Sequence, residues 1–471
     1  MASTVSVLPQ ISEEELTEFR MTLRGQALRP GDPGYEQVRP SFGAMYPDHP
    51  GLVVLCSGTA DVVDAVNFAR ERGIEVTVRG GGHSVAGLSS TDGGMVIDLA
   101  PMNGVLVDPK EQVAYVQGGA LWADVDREGQ LYGLSTPGGV VSDTGVAGLT
   151  LGGGFGLASR AWGLASDNLV SIQIVTSDGK VLTADAKHHS DLYWACRGGG
   201  GGNFGIVTRF TFRLHPVGPI VAFGGVFYPA ADSESVLRGF REYAETAPDT
   251  VNCMAVAITM PEDPHLPPPV HNQDVIVVGS VCVGDPEEGM AEIQPLRELG
   301  TPLADISQPM PWRIVQAAFD GFFPRGEVRT YWKSTSASEL SDGLLDVIAT
   351  RGQDRPAPLA TIVLWLTGGQ VNRVGQDEAA FSERSAKYLI SVEGSWHDPA
   401  DDDDVIAWVR ESWSAISEFG TGTTYINFAE ADSQDVVDEA FGAKLEKLAE
   451  IKAKYDPDNF FRRNNNILPA A

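Results

Sequence analysis

Positive charge is scarce in this chain of 471 residues: 34 lysines and arginines face 63 aspartates and glutamates, a formal charge of −29 at pH 7. A surface of that sign repels phosphate backbones and anionic lipid, which excludes nucleic acid or an anionic membrane as the main partner. Cysteine is scarcer still. Cys56, Cys196, Cys253 and Cys282 are scattered without paired spacing, so neither a disulfide framework nor a zinc site is expected, and no metal is assigned. No apolar run reaches the roughly 18 to 20 residues of a membrane span. The start, MASTVSVLPQISEEELTEFR, lacks the basic stretch and apolar core of a signal peptide. A cytoplasmic protein is the expectation; oligomeric state has no signature. The densest acidic run, Asp398 to Asp404, precedes a helical pattern and reads as a solvated helix start, its carboxylates complementing the dipole.

Glycine is plentiful, with 53 residues, and it is clustered. VRGGGHSVAG (78–87) follows the strand-like IEVTV. GGVVSDTGVAGLTLGGGFG (138–156) follows the helical ALWADVDREGQLYG. GGGGG (198–202) lies between a short helix and a strand, in HSDLYWACRGGGGGNFGIVTRFTFRL. Residues 59–73 read as a helix capped by Thr59 and ended by Gly73. GMVIDL, GVLVD and QVAYVQGG read as strands, and SIQIVTSDGKVLTA as a hairpin turned at Ser177-Asp178-Gly179. This alternation predicts an α+β domain ending near Pro216.

From Val217 the texture changes. Strand-like PIVAFGGVFY, DVIVVGSVCV and LATIVLWLTGG alternate with helical ESVLRGFREYA and ELSDGLLDVIA, around a proline-rich loop at 261–269. A sheet with helices on one face is expected for 217–420. The segment 421–471 ends in one amphipathic helix, with Val437, Phe441, Leu445, Leu448 and Ile451 on one face and Pro457 as its stop.

Three glycine loops in one domain expose many backbone N–H groups that need acceptors, and a pyrophosphate with an attached ring system would supply them. The third loop has helix before and strand after, the reverse of a nicotinamide-dinucleotide fingerprint. The three loops, GMVIDL, YINFAE and KYDPDNFFRRNNNI, in this order, resemble the berberine bridge enzyme-like branch of the vanillyl-alcohol oxidase flavoproteins. The resemblance covers about 45–215 and 424–467. It implies a PCMH-type FAD-binding domain (1–216) completed by 421–471, with 217–420 roofing the isoalloxazine as a substrate domain.

Carried onto matching positions, the resemblance places cofactor contacts at Arg79, Gly80, Gly81, Gly82, His83, Ser84, Gly87 and Leu88 in the first loop, and at Gly118. In the second region it places them at Val141, Ser142, Thr144, Gly145, Gly148, Leu149, Gly152, Gly153, Gly154 and Gly156. Gly205, Ile206, Val207, Tyr425, Asn427 and Asn464 complete the set. It also implies a covalent bond from His83 to the flavin. That is chemically reasonable, because a neutral imidazole is a competent nucleophile near neutrality. Many relatives add a second bond through a cysteine where this chain has Val141, so a single link is inferred. Val141, Thr144 and Leu149 look like a bacterial subgroup that includes an oxygenase of secondary metabolism, and Thr144 is expected near the face where dioxygen reacts.

The tyrosine of the family's Y-x-N motif falls on Tyr425. In an extended strand Asn427 would face the same way. A tyrosine is a weak base at neutral pH unless positive charge lowers its pKa, and Lys333 is the candidate cation. Trp365 occupies a place where related enzymes often carry a carboxylate, which suggests an aromatic wall and an apolar or aromatic substrate. The expectation is an FAD-dependent oxidase acting on a small alcohol, amine or phenol, with dioxygen as acceptor. The alternatives are a flavin-dependent oxygenase and a flavin-binding module without turnover.

Overall fold

The computed structural model describes residues 11–46, 49–430 and 435–471. Two small sheets carry the glycine loops. The first has the order Gln26–Leu28, Leu52–Leu55, Met95–Asp98, Val76–Arg79, and its last three strands are parallel. Its parallel strands come from short β runs joined by the helix Thr59–Arg72, as a crossover requires. Gly58, not Thr59, is the N-cap. The Thr59 hydroxyl is instead bonded to Gln173 Oε1 at 3.0 Å, and Asp61 accepts from the amides of Ser57, Arg24 and Gly25. The second sheet is antiparallel, in the order Val105–Asp108, Val113–Gln117, Ile206–Arg213, Leu169–Val175, Val181–Asp185. The last two strands form the hairpin expected at Ser177 to Gly179.

The region from Ile220 to Trp396 builds one antiparallel eight-stranded sheet. Along its main path run Ala304–Asp305, Ile220–Pro229, Asp274–Cys282, Val251–Thr259, Thr361–Leu366, Tyr388–Trp396 and Arg329–Ala337. The helices Ser233–Ala244, Asp342–Gln353 and Asp402–Ser417 cover one face. Alternate residues of each strand point to opposite faces. Tyr228, Ala255, Leu364, Ile390 and Val392 therefore enter the helix-covered core, whereas Phe227, Met254, Trp365 and Glu393 line a cavity. Strands apolar on both faces are what a sheet buried on both sides requires. Asp402, in the acidic run, forms more than a solvated helix start. It holds Arg329 through two bonds of 2.6 Å and accepts the Trp396 indole N–H.

The C-terminal segment returns to the glycine loops as two helices, Asp435–Phe441 and Leu445–Tyr455, rather than the single one expected. Gly442, at φ 49°, begins a 3-10 turn between them. Val437, Phe441, Leu448 and Ile451 still share one core with Leu151, Phe204 and Phe210. The buried Lys452 ammonium fastens the segment. It donates to Asn203 O, Phe461 O and Asp456 Oδ2 at 2.7, 2.8 and 2.6 Å.

Candidate active site

The three glycine loops converge because only glycine lets their backbones meet. A Cβ on Gly81 would collide with the backbone of Gly145, and one on Gly145 with Gly81. Gly82, at φ 70°, turns the first loop toward the cavity. The third loop joins through Gly200, whose amide donates to Leu151 O at 2.9 Å. Together the loops wall one side of a cavity of about 430 Å³, and the open face of the eight-stranded sheet walls the other. That volume is within the usual span for small-molecule and cofactor sites.

Gly80 to Ser84, Leu88, Val141, Thr144, Gly145, Gly148, Leu149, Gly156, Gly205, Ile206, Val207, Tyr425, Asn427 and Asn464 all border this space. Eight of the expected site residues stand elsewhere, each with another task. The Arg79 guanidinium is buried, donates to the carbonyls of Val38, Arg39 and Ser89, and lies 3.5 Å from Asp98. Gly87 makes room for the Tyr46 ring, and Gly118 for the Val207 carbonyl. Ser142 donates its N–H and Oγ–H to Asp320, at 2.7 and 2.6 Å. Gly152, Gly153 and Gly154 lie against Asn427, Phe381 and Ala165. Lys333 sits on the helix side of its strand, with its ammonium 4.7 Å from the centre of the Trp413 ring.

His83 lies on the wall, its side chain 12% exposed, with its ring stacked on Phe42 at 3.9 Å. Its Nε2 is 3.2 Å from Asp143 Oδ1, without the alignment of a hydrogen bond. Burial opposes ionisation of Asp143, but His83 and Arg325 together hold its carboxyl below the usual range.

Tyr425 is not in a strand. It is the residue before the 3-10 turn Ile426–Phe428, with its N–H pinned to Ser334 Oγ at 3.0 Å. The turn still brings Asn427 to it. The amides of Gly154 and Phe155 and the Asn427 Nδ2 all donate to Tyr425 Oη, at 3.2, 3.1 and 2.9 Å. Asn427 also donates to Leu149 O. Burial raises the Tyr425 pKa, and these three donors only partly offset it. No cation contributes, so the Lys333 expectation is corrected: the phenol is protonated at neutral pH, and three donors are in place for negative charge on its oxygen.

The sheet side is aromatic. Trp365 meets Phe155 edge-on at 5.5 Å, Trp332 meets Phe323 and Phe428, and Phe428 meets Tyr425. Cys253 also lines the cavity, but burial pushes its thiol up to about 12, which removes it as a nucleophile. Sequence reasoning missed Glu393, the carboxylate of this wall, because a single Glu in ISVEGSW carries no motif. Arg463, in the KYDPDNFFRRNNNI motif, was also passed over.

The residues present suit FAD. The cavity is long enough to touch all three loops and the sheet, and among the described residues Gly148 opens onto free space while Ser89 Oγ and Asn464 Oδ1 are buried without partners. Among the described residues no cluster of His, Cys, Asp or Glu could hold a metal ion, and no helix is long and apolar enough to cross a membrane.

Fold and cavity together define a flavin-dependent oxidoreductase. The family described as "FAD binding domain" matches residues 50–185, and "Berberine and berberine like" matches 424–468. An FAD-linked oxidoreductase of Dictyostelium discoideum is 31% identical over 459 residues, covering 96% of this chain and 97% of that one. The (R)-6-hydroxynicotine oxidase of Paenarthrobacter nicotinovorans is 28% identical, with 95% and 98% covered. The structure of Physcomitrella patens BBE-like 1 superposes with a TM-score of 0.86 at 24% identity, covering 96% and 99% of the two chains. The chain belongs to the berberine bridge enzyme-like family of FAD-linked oxidoreductases.

Proposed function

We propose that this protein is an oxidase that holds FAD by a single covalent bond from His83, oxidises a small molecule against the aromatic wall, and passes the electrons to dioxygen. The observation that carries this reading is the pairing of His83 and Val141 on one cavity wall: one nucleophile, and an inert side chain where a second could stand. When bound, FAD supplies the hydride acceptor and the route of electrons to dioxygen.

The chain's own residues do the rest. The loop amides and Asn464 would hold the cofactor, and Asp143 beside Nε2 of His83 would orient the imidazole so that Nδ1 is the nitrogen available for the bond. The Tyr425 phenol orients the substrate by hydrogen bonding. If its proton leaves, the donors from Gly154, Phe155 and Asn427 stabilise the oxygen left behind. Thr144, whose amide donates to Val141 O at 3.1 Å, borders the side we assign to dioxygen. The aromatic wall excludes water around the reacting carbon.

Acid precipitation tests the covalent bond. Yellow colour should stay with the pellet and map to the His83 peptide, and His83→Ala should release it to the supernatant. Colour in the supernatant of the unmodified protein would refute the bond. Hydrogen peroxide formed in step with flavin-bleaching substrates tests the oxidase, and labelled dioxygen entering the product would instead make it an oxygenase.

A further inference from the structure

The cavity is uncharged on its sheet side except at one point. Among the described residues that line it, Glu393 is the only carboxylate, and the one full cation, Arg463, belongs to the C-terminal segment beside Ser90 rather than to the sheet. Glu393 sits mid-strand, opposite Trp332 on one side and Thr361 on the other, on the face turned to the cavity. It is 5% exposed.

Its hydrogen bonding is one-sided. Ser391, two residues earlier on the same face, donates to Oε1 at 2.6 Å, and Trp365 Nε1 contacts that serine oxygen at 3.4 Å. Among the described residues no lysine, arginine or histidine pairs with it, and its second oxygen has no protein donor. Burial accordingly pushes its carboxyl up to about 7. A carboxylate placed among indole and phenyl rings without a counter-charge is costly. A chamber meant only for neutral apolar molecules would be better served by an apolar side chain or an amide.

We propose that Glu393 is the specificity-determining residue of the substrate chamber, and that the substrate class is hydrophobic, aromatic-bearing amines whose cationic nitrogen pairs with Glu393. This rests on reading the chamber as the substrate site of an FAD-linked oxidoreductase. The pair is neutral overall whichever atom holds the proton, so it enters the enclosed cavity without net charge. The low polarity that isolates the carboxylate strengthens the pairing. The faces of Trp332 and Trp365 suit the edge of a cation as well as an aromatic skeleton. An alcohol of the same shape would leave Glu393 unpaired, and a carboxylate would repel it.

Three probes with one skeleton separate these cases: 3-phenylpropylamine, 3-phenylpropan-1-ol and 3-phenylpropanoate. They are titrated calorimetrically into the holoenzyme at pH 8, where Glu393 is mostly ionised and the amine is protonated. The parent should bind the amine at least about tenfold more tightly than the alcohol, with the carboxylate weakest. Glu393→Gln, which keeps shape and removes charge, should bring the amine to within about threefold of the alcohol while leaving the alcohol's affinity nearly unchanged.

Equal binding of amine and alcohol by the parent, or no binding of any probe, overturns the proposal. So does an amine preference that survives in Glu393→Gln. If that variant does not fold, the parent's amine-to-alcohol ratio decides alone. Flavin content and air reoxidation of the dithionite-reduced enzyme are measured on the same samples. Protein without flavin refutes the FAD reading, whereas flavinylated, reoxidising protein without amine preference refutes only the role of Glu393.

Discussion

Replacing Tyr425 by phenylalanine deletes one oxygen and tests the site most directly. The ring keeps its neighbours, Phe428 at 5.0 Å and Phe381 at 6.3 Å. What is lost is the common acceptor of three donors in a place where Tyr425 is 5% exposed. Asn427 retains Leu149 O, so its loss is partial. The amides of Gly154 and Phe155 lose the phenol outright. An unsatisfied buried donor costs about 1–3 kcal/mol, so two of them and a weakened third give about 2–4 kcal/mol once cavity water meets part of the demand. At about 2.1 cal/mol/K per residue, a chain of 471 residues unfolding together loses about 2–4 °C in Tm, read by circular dichroism.

The catalytic consequence is separate. Loss of a positioned proton-transfer or hydrogen-bonding group typically slows the chemical step by about 10²- to 10⁴-fold, read as flavin bleaching by substrate under anaerobic mixing. Reoxidation of the chemically reduced flavin should be unchanged. Because burial raises the Tyr425 pKa, the parent's bleaching rate should show no step from tyrosine ionisation below about pH 10. A melting temperature within about 0.5 °C of the parent, below the cost of even one orphaned donor, would refute the convergence of donors on this oxygen. A bleaching rate within about threefold of the parent, well short of the usual range, would clear the phenol of any part in the reaction.

Lys452→Met removes a fully buried ammonium and leaves Asp456 charged without its partner; it should cost about 3–5 kcal/mol in denaturant unfolding, and a loss under about 1 kcal/mol would contradict the pairing. Gly145→Ala places a methyl against the Gly81 backbone, and the protein recovered should have a much lower ratio of flavin to protein absorbance; full flavin content would contradict the close approach. Glu393 has a folded pKa of about 7 against 4.5 for the free group, so folding takes up a proton between those values and stability falls as pH rises from 4.5 to about 7. Above that range Glu393→Gln should be more stable than the parent by up to about 3 kcal/mol, the gap closing toward pH 4.5, and a gap independent of pH would refute the assignment.

Where residue type alone dictates backbone geometry, the sequence determined the outcome. Glycines at 81, 82 and 145 allow two loops to touch and one to turn, and no other residue type would, so the loops and their place before or after a helix were legible. Apolar runs and turn residues likewise marked the hairpin at Ser177 to Gly179 and the α+β class. Only the tertiary structure decided what depends on distant partners. Lys333 and Ser334 are neighbours in sequence, yet the alternation of one strand sends the first to Trp413 and gives the second to the Tyr425 amide. Gly442, at φ 49°, divides a helix whose apolar stripe runs through it, and both halves still pack into one core of the glycine-loop domain. Glu393 resembles any solvent-facing glutamate of an alternating strand until two neighbouring strands, a covering layer of helices and the opposing glycine loops enclose it. Its burial, and hence its chemistry, is a property of the assembled sheet, since no local pattern reports whether the polar face of a strand meets water or a cavity.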